Sequence, residues 1–430
     1  MPVVQDSEDQ ETPVRPSTPA RALLPSIVPA VVVGVLCSLI LVGVEVAAEH
    51  LEDVLWQTLP DALGVGRYSV AWMFAVLIAT GVAVGLVVWK APGHAGPDPA
   101  TVGLDAPVLP PVVLPGLVVV TALMLAGGPS LGPENPIITV NVGLAVWLGG
   151  RLIPRAPGRI WPALAEAATI GALFGTPVAA ALAISELLAT KETRGMLWDN
   201  LFAPLTAAAA GSLTVTLLDH PSFDLGLPSF GRAGWTDLLA AVVVTAVGAL
   251  LAMCAVRALP YAHRAFRMLR HPMLMLPVGG AVLGCLAAVG GHLTLFKGLD
   301  EITTLARDPD GWSAGEFAVM TVVKLAALVV AAACGFRGGR IFPAVFVGTA
   351  LGLCAHALVS GVHPSVGVSA GVLGVLLAIT RQGWISLFVA AVLVTEPTVI
   401  ALLCIASLPA WLLVTGRPQM QLRADGTSVR

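Results

Sequence analysis

The run Gly132-Pro133-Glu134-Asn135-Pro136 sets one carboxylate at the start of an apolar, helix-like stretch, Ile137 to Leu152. Inside a membrane an ionisable group is costly to keep, and it marks a pathway or a site. A second run, Gly339-Arg340-Ile341-Phe342-Pro343, repeats the Gly-x-x-x-Pro frame and opens another apolar stretch, Ala344 to Val359. A helix that starts inside a protein aims its unpaired N–H groups and the positive end of its dipole at whatever precedes it. That stabilises an anion without a full positive charge. Two such starts converging at one depth would bind a small anion, with Glu134 competing for the same donors. The alternative is that Glu134 is a structural cap on a helix N-terminus.

The elements that hold these runs must be membrane helices. Hydrophobic residues make up 57% of the 430 positions and charged residues 11%, and windows such as Pro25 to Gly43 and Pro107 to Pro133 carry no charge. Apolar stretches of that length and number predict an all-α, polytopic membrane protein. With 45 glycines and 33 prolines, many helices must be broken or partial, and freed backbone at membrane depth is tolerated only where protein or a water-filled cavity covers it. The breaks also repeat: Pro177 follows Pro136 by 41 residues and Gly383 follows Pro343 by 40, each opening another apolar helix. This spacing predicts two repeats, 22–218 and 235–415, joined by a polar linker 219–234, with the site between them.

At the ends, residues 1–21 read as a disordered tail with no signal-peptide core, and 416–430 as a short C-terminal tail. Arg15 and Arg21 precede the first span, and Arg257, His263, Arg264, Arg267, Arg270 and His271 form the most basic connection. The positive-inside rule then places both termini in the cytoplasm. The six cysteines sit in apolar segments without CxxC spacing and are expected to be packing residues.

Together these runs resemble the CLC family of chloride channels and chloride/proton antiporters. The family motif Gly-Arg-Glu-Gly-Pro is similar to 132–136. Its Gly-x-Phe-x-Pro motif is similar to 339–343, with Phe342 one residue late, and its Gly-Ser-Gly-Ile-Pro start is echoed weakly by Gly93-His94-Ala95-Gly96-Pro97. Phe174 to Leu188 is similar to the helix that follows. The resemblance runs from about Pro25 to Met420, and the wording GHAGPDP, SLGPENP and GFRGGRIFP is nearest to the bacterial YfeO-like branch.

This resemblance implies an inverted-repeat transport protein of the cell membrane, a homodimer, carrying a small inorganic anion, chloride or fluoride. It implies that Glu134 is the gating glutamate, and that Gly132, Pro133, Asn135, Pro136, Gly339, Arg340, Ile341, Phe342, Pro343, His94 and Met420 border the anion pathway. Three departures stand out. His94 replaces a serine donor, Met420 falls where the family has its central tyrosine, and Leu187 occupies the place of the inner, proton-carrying glutamate of the antiporters. Leucine cannot carry a proton. Glu186 lies one residue earlier, roughly 100° around the helix, and is either a substitute relay or paired within the protein. Arg337 and Arg340 either face an aqueous vestibule or pair with an acid such as Asp300, Glu301 or Glu186.

Nucleotide-binding glycine loops, His/Cys metal spacing and hydrolase motifs are absent from the sequence, so neither enzyme chemistry nor a cofactor or metal is expected. The net charge of −3 offers nothing to a nucleic acid. The competing reading is a cation-coupled transporter of another inverted-repeat fold, in which Glu134 would coordinate the cation. Within the family resemblance, a chloride channel and a proton-coupled chloride or fluoride antiporter both stay open.

Overall fold

The computed structural model describes residues 19–103, 106–189, 196–218 and 223–429. Residues 1–18 of the expected tail and 219–222 of the expected linker lie outside the described residues, while Ala20–Leu23 already forms a helical turn, α1.

From there the first half runs α2 (Ile27–Asp53), α3 (Leu59–Leu63), α4 (Val70–Lys90), α5 (Leu114–Gly127), α6 (Glu134–Leu152), α7 (Ile160–Leu173), α8 (Pro177–Ala189) and α9 (Leu197–Leu218). In the second half come α10 (Trp235–Arg267), α11 (Pro272–Gly290), α12 (Leu299–Arg307), α13 (Ala314–Cys334), α14 (Ile341–Leu358), α15 (Pro364–Thr380), α16 (Gly383–Val392) and α17 (Pro397–Val414). Eight helical stretches among the described residues are long and apolar enough to cross a membrane, whereas α5, α7, α8, α15 and α16 are shorter apolar helices. The glycine and proline punctuation thus produces partial helices. Both signature runs straddle the starts of α6 and α14, whose first residues, Glu134 and Ile341, lie three residues ahead of the apolar stretches.

The two halves pack alike. In the first, α2 rests on α7 and α9 while α7 touches α6 and α8; in the second, α10 rests on α15 and α17 while α15 touches α14 and α16. Small residues allow the close approach: a Cβ on Gly171 would lie 2.6 Å from the Ala208 carbonyl oxygen, and one on Gly374 would lie 2.0 Å from that of Thr245. Without a hydrophobic drive between helices in lipid, such backbone proximity supplies van der Waals contact.

The basic connection differs from expectation. Arg257, His263, Arg264 and Arg267 belong to the last turns of α10, which is 33 residues long. The cysteines divide: Cys37, Cys334 and Cys354 are buried, whereas Cys254, Cys285 and Cys404 are exposed on outward helix faces, so only the first three are packing residues.

Candidate functional site

The starts of α6 and α14 meet head to head. Gly132 N–H donates to Gly339 O at 2.9 Å and Gly339 N–H returns the bond to Gly132 O at 2.6 Å, an isolated antiparallel bridge. Reciprocal bonds of this kind set the two helix starts about a local two-fold axis. While Glu134 keeps this seat neither glycine can carry a side chain, because a Cβ on Gly339 would fall 1.8 Å, and one on Gly132 2.3 Å, from Glu134 Oε2.

Glu134 is 1% exposed and reaches across the bridge. Its Oε1 accepts the Phe342 N–H at 2.8 Å, so the carboxylate from the first half caps the helix start of the second. Its Oε2 is buried without a hydrogen-bond partner. The one-residue displacement of the phenylalanine thus makes Phe342 itself the donor. The Phe342 ring lies 6.0 Å from Phe174 and stacks on Phe223 at 6.2 Å. Phe223 comes from the expected linker, which sequence reading treats as a mere connection.

Two cavities approach this point from opposite faces. One, of about 290 Å³, is bordered by Glu45, Glu49, Lys297, Asp300, Phe223 and Phe342. Glu45 and Glu49 lie in the second half of α2. The other, of about 280 Å³, is bordered by Val102, Asn135, Arg340, Ile341, Gln419 and Gln421. Its residues 102 and 103 follow α4, which runs back from the end of α2, so this cavity opens on the face where α2 begins. Ile341 borders one cavity and Phe342 the other, and Glu134 stands at the divide.

Both arginines are buried, and neither pairs with Asp300, Glu301 or Glu186. Arg340 donates through Nη1 to Met420 O and through Nη2 to Pro99 O and Val102 O, the last at 3.0 Å. Arg337 donates to His94 O at 3.0 Å. The Nε–H of each is buried and unpartnered, which leaves two cationic donors in reserve beside the helix starts. Nearby, Asp98 accepts from His263 Nε2 at 2.9 Å and from Arg267 at 2.6 Å. Burial alone would push its carboxyl up, but the His263 hydrogen bond and charge hold it at about 2, below the usual carboxylate range.

His94 and Met420 enter through their backbones. The His94 ring is exposed, with Nδ1 3.1 Å from Val88 O, and borders neither cavity. Met420 is fully buried, and its carbonyl serves Arg340. The tail folds back under the site: Met420 N–H donates to Ile379 O at 3.1 Å and Leu422 N–H to Ala100 O at 2.8 Å. Gln419 and Gln421, absent from the sequence reading, therefore border the cavity; no sequence signal marks them, since a polar tail looks the same whether docked or free. Pro133, Pro136 and Pro343 shape the two helix starts, and Asn135 points its amide toward Val102 O at 3.4 Å. Glu186 accepts from Gly383 N–H at 2.8 Å and Trp384 N–H at 3.1 Å, capping α16 with both oxygens.

Comparison with known proteins bears on the fold and the family. The "Putative ion-transport protein YfeO" of Escherichia coli (strain K12 / DH10B) is 50% identical over 403 residues, spanning 94% of this chain and 96% of that protein. The same name and identity hold in Shigella boydii serotype 18. Among solved structures, a slow cyanobacterial Cl−/H+ antiporter superposes with a TM-score of 0.77 at 18% identity, over 92% of this chain and 96% of that one. A CLC-type fluoride/proton antiporter gives 0.74 at 18% identity, over 93% and 97%. These two establish the inverted-repeat fold. The family model described as "Voltage gated chloride channel" matches residues 99–415, and on that match together with the 50% identity the chain belongs to the CLC family.

Proposed function

We propose that this protein conducts small anions, chloride foremost, across the cell membrane along a path that Glu134 closes. The observation that carries the reading is the Glu134 carboxylate seated on the Phe342 amide. It occupies a donor cluster that a halide would fill once the side chain leaves or takes up a proton. The buried Nε–H groups of Arg337 and Arg340 supply positive charge at the same depth, which favours anions and opposes a cation site.

Sidedness follows from the basic residues. The tie from Asp98 to His263 and Arg267 brings the cationic end of α10 to the face that carries the folded-back tail. By the positive-inside rule that face is cytoplasmic, and the cavity with Glu45 and Lys297 opens outward.

Transport is passive in this reading, because Leu187 offers no proton carrier and Glu186 is engaged by two amides. The test is purified protein in liposomes, with chloride- and fluoride-selective electrodes and a potassium ionophore balancing charge. Chloride efflux well above that of protein-free vesicles is expected, with no added sodium flux. Cation flux equal to or above anion flux would overturn the anion reading in favour of a cation-coupled transporter.

A further inference from the structure

The outward cavity has acidic walls, which is the wrong sign for an anion's entrance. Glu45 and Glu49 from α2 and Asp300 from α12 border it, and Lys297 is the sole base among its lining residues. Carboxylates at that density repel an approaching halide, since a cleft with low-dielectric walls focuses the field of its charges. One cation must offset them locally or the path is starved.

Lys297 is held in place by an unusual piece of chain. The preceding Phe296 has φ 56° and the following Gly298 φ 101°, so the backbone turns through left-handed conformations on both sides. Such backbone persists only where its surroundings impose it. Here the surroundings are explicit. The fully buried Lys324 of α13 donates to three successive carbonyls, Thr294 at 3.2 Å, Leu295 at 2.6 Å and Phe296 at 2.9 Å. Phe296 N–H donates in turn to Gly128 O at 2.9 Å, just ahead of the Gly132 bridge. A buried ammonium thus fixes the turn that presents a second ammonium to the cavity.

Lys297 is only loosely engaged where it arrives. Its Nζ lies 3.5 Å from Glu45 Oε1, with both side chains about a quarter exposed. The same cavity is bordered by Phe342, whose N–H holds the Glu134 carboxylate. An ammonium that shares a cavity with the outer carboxylates and with Phe342 is placed to exchange partners.

Resting on the anion-transport reading above, we infer that Lys297 is the outer anion-capture residue: an incoming halide displaces Glu45 from the Lys297 ammonium and waits there until Glu134 vacates the Phe342 amide. The residue sets the affinity for the anion at entry. It does not set the maximal rate of passage.

The test is chloride flux in liposomes against chloride concentration at constant ionic strength, with an impermeant organic anion as replacement. Lys297→Gln should raise the half-saturating chloride about tenfold while changing the maximal flux little. Lys297→Arg should stay within about threefold of the parent, and Glu45→Gln should lower the half-saturating value. The double variant removes one charge of each sign and should behave like Lys297→Gln. An unchanged half-saturating concentration in Lys297→Gln overturns the inference, as does an equal loss of maximal flux in Lys297→Gln and Lys297→Arg, which marks a structural lysine. Should Lys297→Gln fail to fold, Lys297→Arg and Glu45→Gln carry the test, and an unaltered half-saturating value in Glu45→Gln overturns it. Bromide binding by titration calorimetry on the same proteins in detergent separates the two readings. Binding that depends on Lys297 without any flux sinks the transport reading and keeps the capture site; normal flux with an indifferent Lys297→Gln does the reverse.

Discussion

Glu134 uses one carboxylate oxygen and leaves the other buried and unpaired. A side chain chosen only to cap would satisfy both, as Glu186 does on α16. Leaving a buried acceptor unsatisfied costs about 1–3 kcal/mol, which makes this seat weaker than that of Glu186 and supports the proposed gating role. Replacing Glu134 by glutamine or alanine should keep chloride flux and make it nearly independent of external pH. The measurement is flux from about pH 4 to 8, with size-exclusion profiles to confirm folding. Retention of the parent's pH response, or unfolding of Glu134→Ala, would return the residue to the role of a cap. Asp98 cannot mimic the effect. Its carboxyl is depressed to about 2, so its tie to His263 is complete above the ordinary carboxylate pKa of about 3.9 and lost only as pH falls through 2. Much of this was legible in the sequence, because a lone glutamate between glycine and proline at the head of an apolar run is too costly to keep unless a pathway or a helix start uses its charge. The Arg340 contacts were not, since a guanidinium that serves three backbone carbonyls from two distant segments leaves no trace of pairing in sequence.

At the scale of elements, the glycines of the bridge matter as much as the acid. Gly339→Ala would put a methyl group where Glu134 Oε2 sits and should expel the carboxylate from the Phe342 amide. Chloride flux with weakened pH dependence, similar to Glu134→Gln, is the expected result. Flux abolished together with a lowered Tm would show instead that the bridge cannot deform, with the backbone yielding in place of the side chain. The repeat was visible in the matched spacing of Pro136 to Pro177 and Pro343 to Gly383, because broken helices need those residues at their breaks. The docked tail and Phe223 were not visible: both lie in polar segments whose contacts at the site come from distant parts of the chain. His94 misled because a histidine in a motif position draws attention to its ring, while the structure uses its carbonyl.

For the whole molecule, the open question of coupling becomes a measurement. A chloride gradient imposed on vesicles should fail to drive protons uphill, because the position after Glu186 is a leucine and Glu186 itself is held by two amides. Sustained uphill proton movement that disappears in Glu134→Gln would establish an antiporter, and its further loss in Glu186→Gln would identify that residue as the inner relay. The homodimer implied by the family resemblance is checked on the same preparations by light scattering in detergent.

The reciprocal bond between Gly132 and Gly339 also has a bearing on biogenesis. Its two partners stand 207 positions apart, so a ribosome adding about 5–20 residues per second needs on the order of tens of seconds to supply the second after the first. Through that interval the first repeat sits in the bilayer with Glu134 lacking its seat on α14. Insertion of this protein should therefore pass through a half-built state in which Glu134 has no Phe342 amide to sit on until the second repeat arrives.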